Sequence, residues 1–212
     1  MTGAPTLVLL SGFGDPTGSW AAVQAGLGDA VQILTPPLAG LSPTDSDFTL
    51  QRSAAGMATA LAAAGHSSAT VCGVGLGAMV ALQLAADSPE RVDDLVLITR
   101  QVRSSAILLS LPAAVLPLIP ASWVVRLGAQ QDQVLALLDQ VRPVDFTSTA
   151  RRVSTPALVL CGDHDVINRR TSATLARELR RGDLQTVPDA GPGWLRSNPE
   201  KLVRLLLARL HG

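Results

Sequence analysis

Two short stretches hold the residue types from which chemistry could be built. In "CGDHDVIN" (161–168), His164 stands between Asp163 and Asp165. An imidazole beside carboxylates can move protons, and a carboxylate in an apolar pocket can serve as general acid or base. In "TVCGVGLGAMVALQLA" (70–85), Gly73, Gly75 and Gly77 recur at every second position between an apolar run and a helix-like run. That pattern makes a tight strand-to-helix turn of the kind that presents a nucleophile, yet its central residue, Gly75, has no side chain. Ser11 and Ser42 lie in neighbouring loops, and no histidine is expected to reach either. Cys72 and Cys161 both close apolar runs and read as buried free thiols, with no disulfide expected.

The same glycines admit a second reading. Gly73-x-Gly75-x-x-Ala78 fits the dinucleotide fingerprint, and Arg100, after the next strand, would favour the 2′-phosphate of NADP. Against it, the turn closes the third strand-helix unit and the ribose-binding acid is missing. No cofactor and no metal are expected.

Six short apolar runs position these residues: 6–10, 31–34, 69–73, 94–99, 157–161 and 184–187. Helical patterns alternate with them at 19–27, 49–65, 77–89, 168–182 and 198–210, with Thr49 and Asn198 as candidate caps. Continuous apolar strands separated by helices predict a parallel sheet covered on both faces, with its ligand crevice beyond the carboxyl ends of the strands. The loops at those ends are 11–18, 35–45, the glycine turn, 99–101, 162–168 and 188–194. His66 precedes a strand and belongs at the opposite end, and His211 lies in the tail; both read as surface histidines.

The chain reads as one domain with a single insertion at about 100–145. Residues 104–125 carry no charge, but Pro112, Pro117 and Pro120 would interrupt a spanning helix. An apolar lid or buried cap is the expectation.

Composition excludes several function classes. The 212 residues are 47% hydrophobic and 16% charged, with zero formal net charge, which argues for a compact globular protein and against a nucleic-acid or anionic-membrane partner. Aromatics at 3% leave no stacking platform for single strands. "MTGAPTLVLL" lacks a basic segment and a long apolar core, so no signal peptide is read and a cytoplasmic location is expected.

Over nearly its whole length the chain resembles the α/β-hydrolase family, in five segments taken in order. "LLSGFGD" (9–15) resembles the strand and oxyanion loop, and "TPPLAGLSPTD" (35–45) the loop that follows. The span 72–98 resembles the nucleophile elbow, its helix and the next strand; "LVLCGDHDVIN" (158–168) resembles the acid loop, and "VPDAGPGWLRSNPEKL" (187–202) the histidine loop. The resemblance implies a three-layer α/β sandwich with a mostly parallel sheet of about six strands and a small helical lid. It also implies that the chain starts at the family's third strand, without the usual first hairpin.

Placed on this sequence, the family's serine falls on Gly75, its acid on Asp165 and its histidine on Pro192. The oxyanion donors fall on the backbone N–H groups of Phe13 and Leu76. Two of three triad members are replaced by residues with no nucleophile and no titratable group, so Ser-His-Asp hydrolysis is not expected. The resemblance leaves Asp165 as the candidate catalytic residue. Ser11, Phe13, Gly75, Leu76, Arg100, His164, Pro192 and Trp194 are the candidate binding residues. The implied function is a non-hydrolytic isomerase, epimerase or cyclase acting on a carbonyl compound. An inert ligand- or partner-binding relative is the alternative, ahead of the NADP reading. The expected partner is a small molecule, with no nucleic acid and no membrane, and a homodimer could form through the lid faces 124–127 and 133–141.

Overall fold

The computed structural model describes residues 4–12, 18–39, 47–99 and 146–210. The insertion at 100–145, its apolar segment and its pairing faces lie outside them, as do Phe13, Ser42, Arg100 and His211. Six strands form one sheet: β1 (Thr6–Leu10), β2 (Gln32–Leu34), β3 (Ala69–Val74), β4 (Val92–Ile98), β5 (Ala157–Gly162) and β6 (Gly182–Val187). Their order is β2-β1-β3-β4-β5-β6, and every neighbouring pair is parallel. The apolar runs are continuous because the inner strands are covered on both faces: β3 and β5 are buried at every position. β6, paired on one side only among the described residues, is exposed from Asp183 to Thr186 and buried at Val187.

Seven helices are described: α1 (Gly18–Leu27), α2 (Leu50–Ala63), α3 (Leu76–Asp87), α4 (Phe146–Arg152), α5 (Val166–Glu178), α6 (Trp194–Ser197) and α7 (Pro199–Leu210). On one face of the sheet, Val8, Leu10, Val71 and Leu97 pack with Met57 and Leu61 of α2, Val80 and Leu84 of α3, and Ala176 of α5. On the other, Leu7, Leu9, Val96 and Leu160 pack with Trp20 and Val23 of α1 and Leu202 and Leu206 of α7. Helix α3 is buried almost all round because it lies over the centre of the sheet and against α2 and α4. A bidentate pair between Arg209 and Asp94 fastens the end of α7 to β4.

Helix boundaries follow their caps. The Thr49 hydroxyl accepts the Arg52 N–H at 3.0 Å and starts α2 as the sequence predicts. Asn198 differs: its carbonyl accepts the Lys201 N–H, while its side-chain amide turns to Ser197. Helix α5 begins at Val166, two residues before the predicted run, because Asp165 caps it. It stops at Glu178, where the backbone turns extended at Leu179 to enter β6 at Gly182. Among the described residues no helix is long and apolar enough to cross a membrane.

Candidate functional site

In this strand order successive connections leave β1 in opposite directions, to β2 on one side and β3 on the other. The crevice at the carboxyl ends of β1 and β3 is therefore the geometric place for a ligand. The glycine turn lies there, and its three glycines do different work. A Cβ on Gly73 would sit 2.5 Å from the Gly77 carbonyl carbon, and one on Gly77 would strike the Leu10 carbonyl and lie 2.7 Å from that of Ser11. These two positions let α3 rest directly on the ends of β1 and β3. Gly75 has φ 56° and ψ −115°, a conformation that side-chain-bearing residues adopt only under strain. Its N–H donates to the Ile98 carbonyl at 3.0 Å, and its own carbonyl accepts the N–H groups of Ala78 (3.1 Å) and Met79 (3.2 Å) to open α3. The turn thus has the sharp backbone of a nucleophile elbow, with no side chain at its apex.

Leu76 is buried as the first residue of α3, where helix geometry leaves its N–H without an intrahelical partner. Ser11 is half-buried at the end of β1. The second oxyanion donor expected from sequence, Phe13, lies outside the described residues.

The acid loop follows β5. Asp165 is 2% exposed and is the N-cap of α5. Its Oδ1 accepts the Asn168 backbone N–H at 3.2 Å and its Oδ2 accepts the Asn168 side-chain amide at 2.6 Å. Ser172 donates to the Asn168 carbonyl at 2.7 Å, so the Thr99 hydroxyl, at the end of β4, is left to donate to Ser172. Cys161 lies in the same buried layer, its Sγ 3.5 Å from the Gly162 carbonyl. Burial raises its thiol above the ordinary range, and the same cause acts on Cys72, so neither is a ready thiolate. Both are free, as the sequence predicts.

His164 is exposed, its Nε2 3.9 Å from an oxygen of Asp163. Asp163 accepts the backbone N–H groups of Ala190 (2.9 Å) and Asp189 (3.0 Å), and these bonds, the Ala190 one foremost, hold its carboxyl below the usual range. The His164 N–H in turn donates to the Ala190 carbonyl at 3.0 Å. The acid loop and the loop after β6 are thereby stitched together just ahead of Pro192. Asp163, His164 and Asp189 bring potential ligand atoms within 4.8 Å of one another, but two of the three are exposed and both Asp163 oxygens already hold backbone donors. Pro192 occupies an exposed turn, and Trp194, a binding candidate from sequence, is 4% exposed and packs in the core beside Trp20 and Leu202. His66 lies at the opposite end of the sheet, its Nδ1 3.0 Å from the Thr6 hydroxyl.

Residues 7–205 match the sequence profile of the Alpha/beta hydrolase family. The chain belongs to the α/β-hydrolase family. The G-x-G-x-x-A turn lies within the matched span. "Putative carbamate hydrolase RutD" of Cronobacter turicensis is 30% identical over 244 residues, covering 98% of this chain and 91% of the relative. The protein of that name from Klebsiella pneumoniae (strain 342) is 28% identical over 200 residues, covering 78% and 75%. Among solved structures, the enol-lactonase from Burkholderia xenovorans LB400 superposes with a TM-score of 0.80 at 16% identity, covering 100% of this chain and 93% of that one. A thermophilic esterase from Thermogutta terrifontis gives 0.74 at 22% identity, covering 100% and 92%. At those identities the two structures support the hydrolase fold.

Asn168, Ser172 and Thr99 were not singled out from sequence. The available signal was the Asp165-x-x-Asn168 spacing, which places a polar side chain three residues past an N-cap.

Proposed function

We propose that this α/β hydrolase binds a carbonyl-containing small molecule at its elbow and transforms it without an acyl-enzyme, in an isomerase-, epimerase- or cyclase-type step. Gly75 carries the reading: it has the backbone of a nucleophile elbow and no atom that could attack. The Leu76 N–H at the head of α3, with that of Phe13, would polarise the ligand carbonyl and stabilise charge developing on its oxygen. The proton is moved by Asp165 or by a group of the substrate itself. With Asp165 deeply buried and both its oxygens on Asn168, the substrate's own group is the better placed of the two.

A second reading is favoured by the relatives, which carry the names carbamate hydrolase, enol-lactonase and esterase. In it, water occupies the space a serine side chain would fill and attacks the carbonyl directly. Proton NMR in heavy water separates the two on a panel of lactones, thioesters, β-keto esters and carbamates. The first reading gives protein-dependent exchange of the α-proton, or a rearranged product, with the acyl bond intact. Cleavage of the acyl bond with no α-exchange would replace it with the second.

A further inference from the structure

A buried carboxylate needs partners, and in a hydrolase triad a histidine is one of them. Here the family's histidine position holds Pro192, yet Asp165 remains, 2% exposed. Leaving such a group unpaired would cost several kcal/mol. The structure pairs it from within its own helix: Asn168, 1% exposed, reaches back one turn and donates its side-chain N–H at 2.6 Å to Oδ2, while its backbone N–H takes Oδ1. The backbone beneath it is also held: Ser172, fully buried, donates to the Asn168 main-chain carbonyl, and Thr99 donates to Ser172, so the first turn of α5 is braced against the end of β4.

We infer that Asn168 has taken over the hydrogen-bonding place of the missing histidine, as a positioning residue that keeps the Asp165 carboxylate turned into helix α5. Both carboxylate oxygens of Asp165 thus already accept donors from Asn168. A histidine restored at the old position would find the acid already engaged. Restoring the triad by its two obvious substitutions is then insufficient while Asn168 stays. The inference rests on the geometry of α5 and on the placing of the family's histidine at Pro192, and does not depend on which ligand the elbow binds.

The test needs no substrate. Pro192→His is made alone and together with Asn168→Ala, and the introduced imidazole is titrated by NMR, distinguished from the native His66, His164 and His211. Alone, it is expected to titrate near the free value of about 6.5. With Asn168→Ala, the released carboxylate is expected to raise its proton affinity about tenfold, roughly one pH unit. Equal titration in the two proteins, or a raised value already in Pro192→His, overturns the inference. Should Asn168→Ala not fold, Asn168→Gln, whose amide is one methylene too long for Oδ2, carries the same expectations.

Discussion

Asp163 and Ala190 are joined in both directions of the chain: a carboxylate oxygen of Asp163 accepts the Ala190 N–H at 2.9 Å, and the Ala190 carbonyl accepts the N–H of the next residue, His164, at 3.0 Å. Ala190 also lies so close to β5 that a Cβ on Gly162 would strike its carbonyl. These contacts tie the loop after β5 to the loop after β6, the two loops that in a working triad must bring acid and histidine together.

The first prediction concerns pH. Because the native carboxyl of Asp163 lies below its free value of 3.8, its contribution to stability is fully present above that value and fades as pH falls through the lower native one. Denaturant unfolding of the wild type and Asp163→Asn is expected to show a difference that is constant from neutral pH to about pH 5 and shrinks below pH 4. A difference unchanged down to pH 3 would remove the carboxylate from the tether.

A second prediction separates a glycine of the elbow from one in the loop after β6. Gly77→Ala drives a methyl into the backbone at the end of β1 and is expected to cost about 1–3 kcal/mol by thermal or denaturant unfolding. Gly191→Ala, with nothing within 4 Å of the added Cβ, is expected to change stability by less than about 0.5 kcal/mol.

The third is a coupling. Asp165→Ala and Asn168→Ala each leave a buried polar partner unmet and are each expected to cost about 1–3 kcal/mol. Since either change removes the same bond, the double variant is expected to cost less than the sum, by about 0.5–3 kcal/mol. Strict additivity in denaturant unfolding would mean that the two side chains do not support each other.

A fourth concerns the apex. Gly75→Ser places a Cβ on a backbone at φ 56° and is expected to destabilise by about 1–3 kcal/mol. With Pro192 still in place, no general base is added, and the new hydroxyl is expected to remain unlabelled by a fluorophosphonate in intact-mass measurements.

Much of the fold is legible because its signals are local. The six apolar runs and the helix capped by Thr49 map onto elements of the sheet and its layers. The strand-to-helix turn is legible too, from three glycines at every second position, although the same glycines also fit a dinucleotide fingerprint; their separate tasks depend on coordinates. What stayed hidden depends on side-chain direction. Asp165 reads in sequence equally as a proton carrier or as a backbone partner, and only its burial and its two bonds to Asn168 show the helix cap. Trp194 looks like a loop aromatic beside the site, but the short helix α6 turns it into the core with Trp20. The brace from Thr99 to Ser172 joins residues 73 positions apart, beyond the reach of any periodicity argument.

The central claim is that the elbow persists without a nucleophile, and the most direct measurement is the intact mass of the wild-type protein after exposure to p-nitrophenyl acetate and, separately, to a fluorophosphonate. Unchanged mass with both reagents, and no burst of nitrophenol, is the predicted result. A single stoichiometric adduct mapped to a residue of the crevice, such as Ser11, would contradict it.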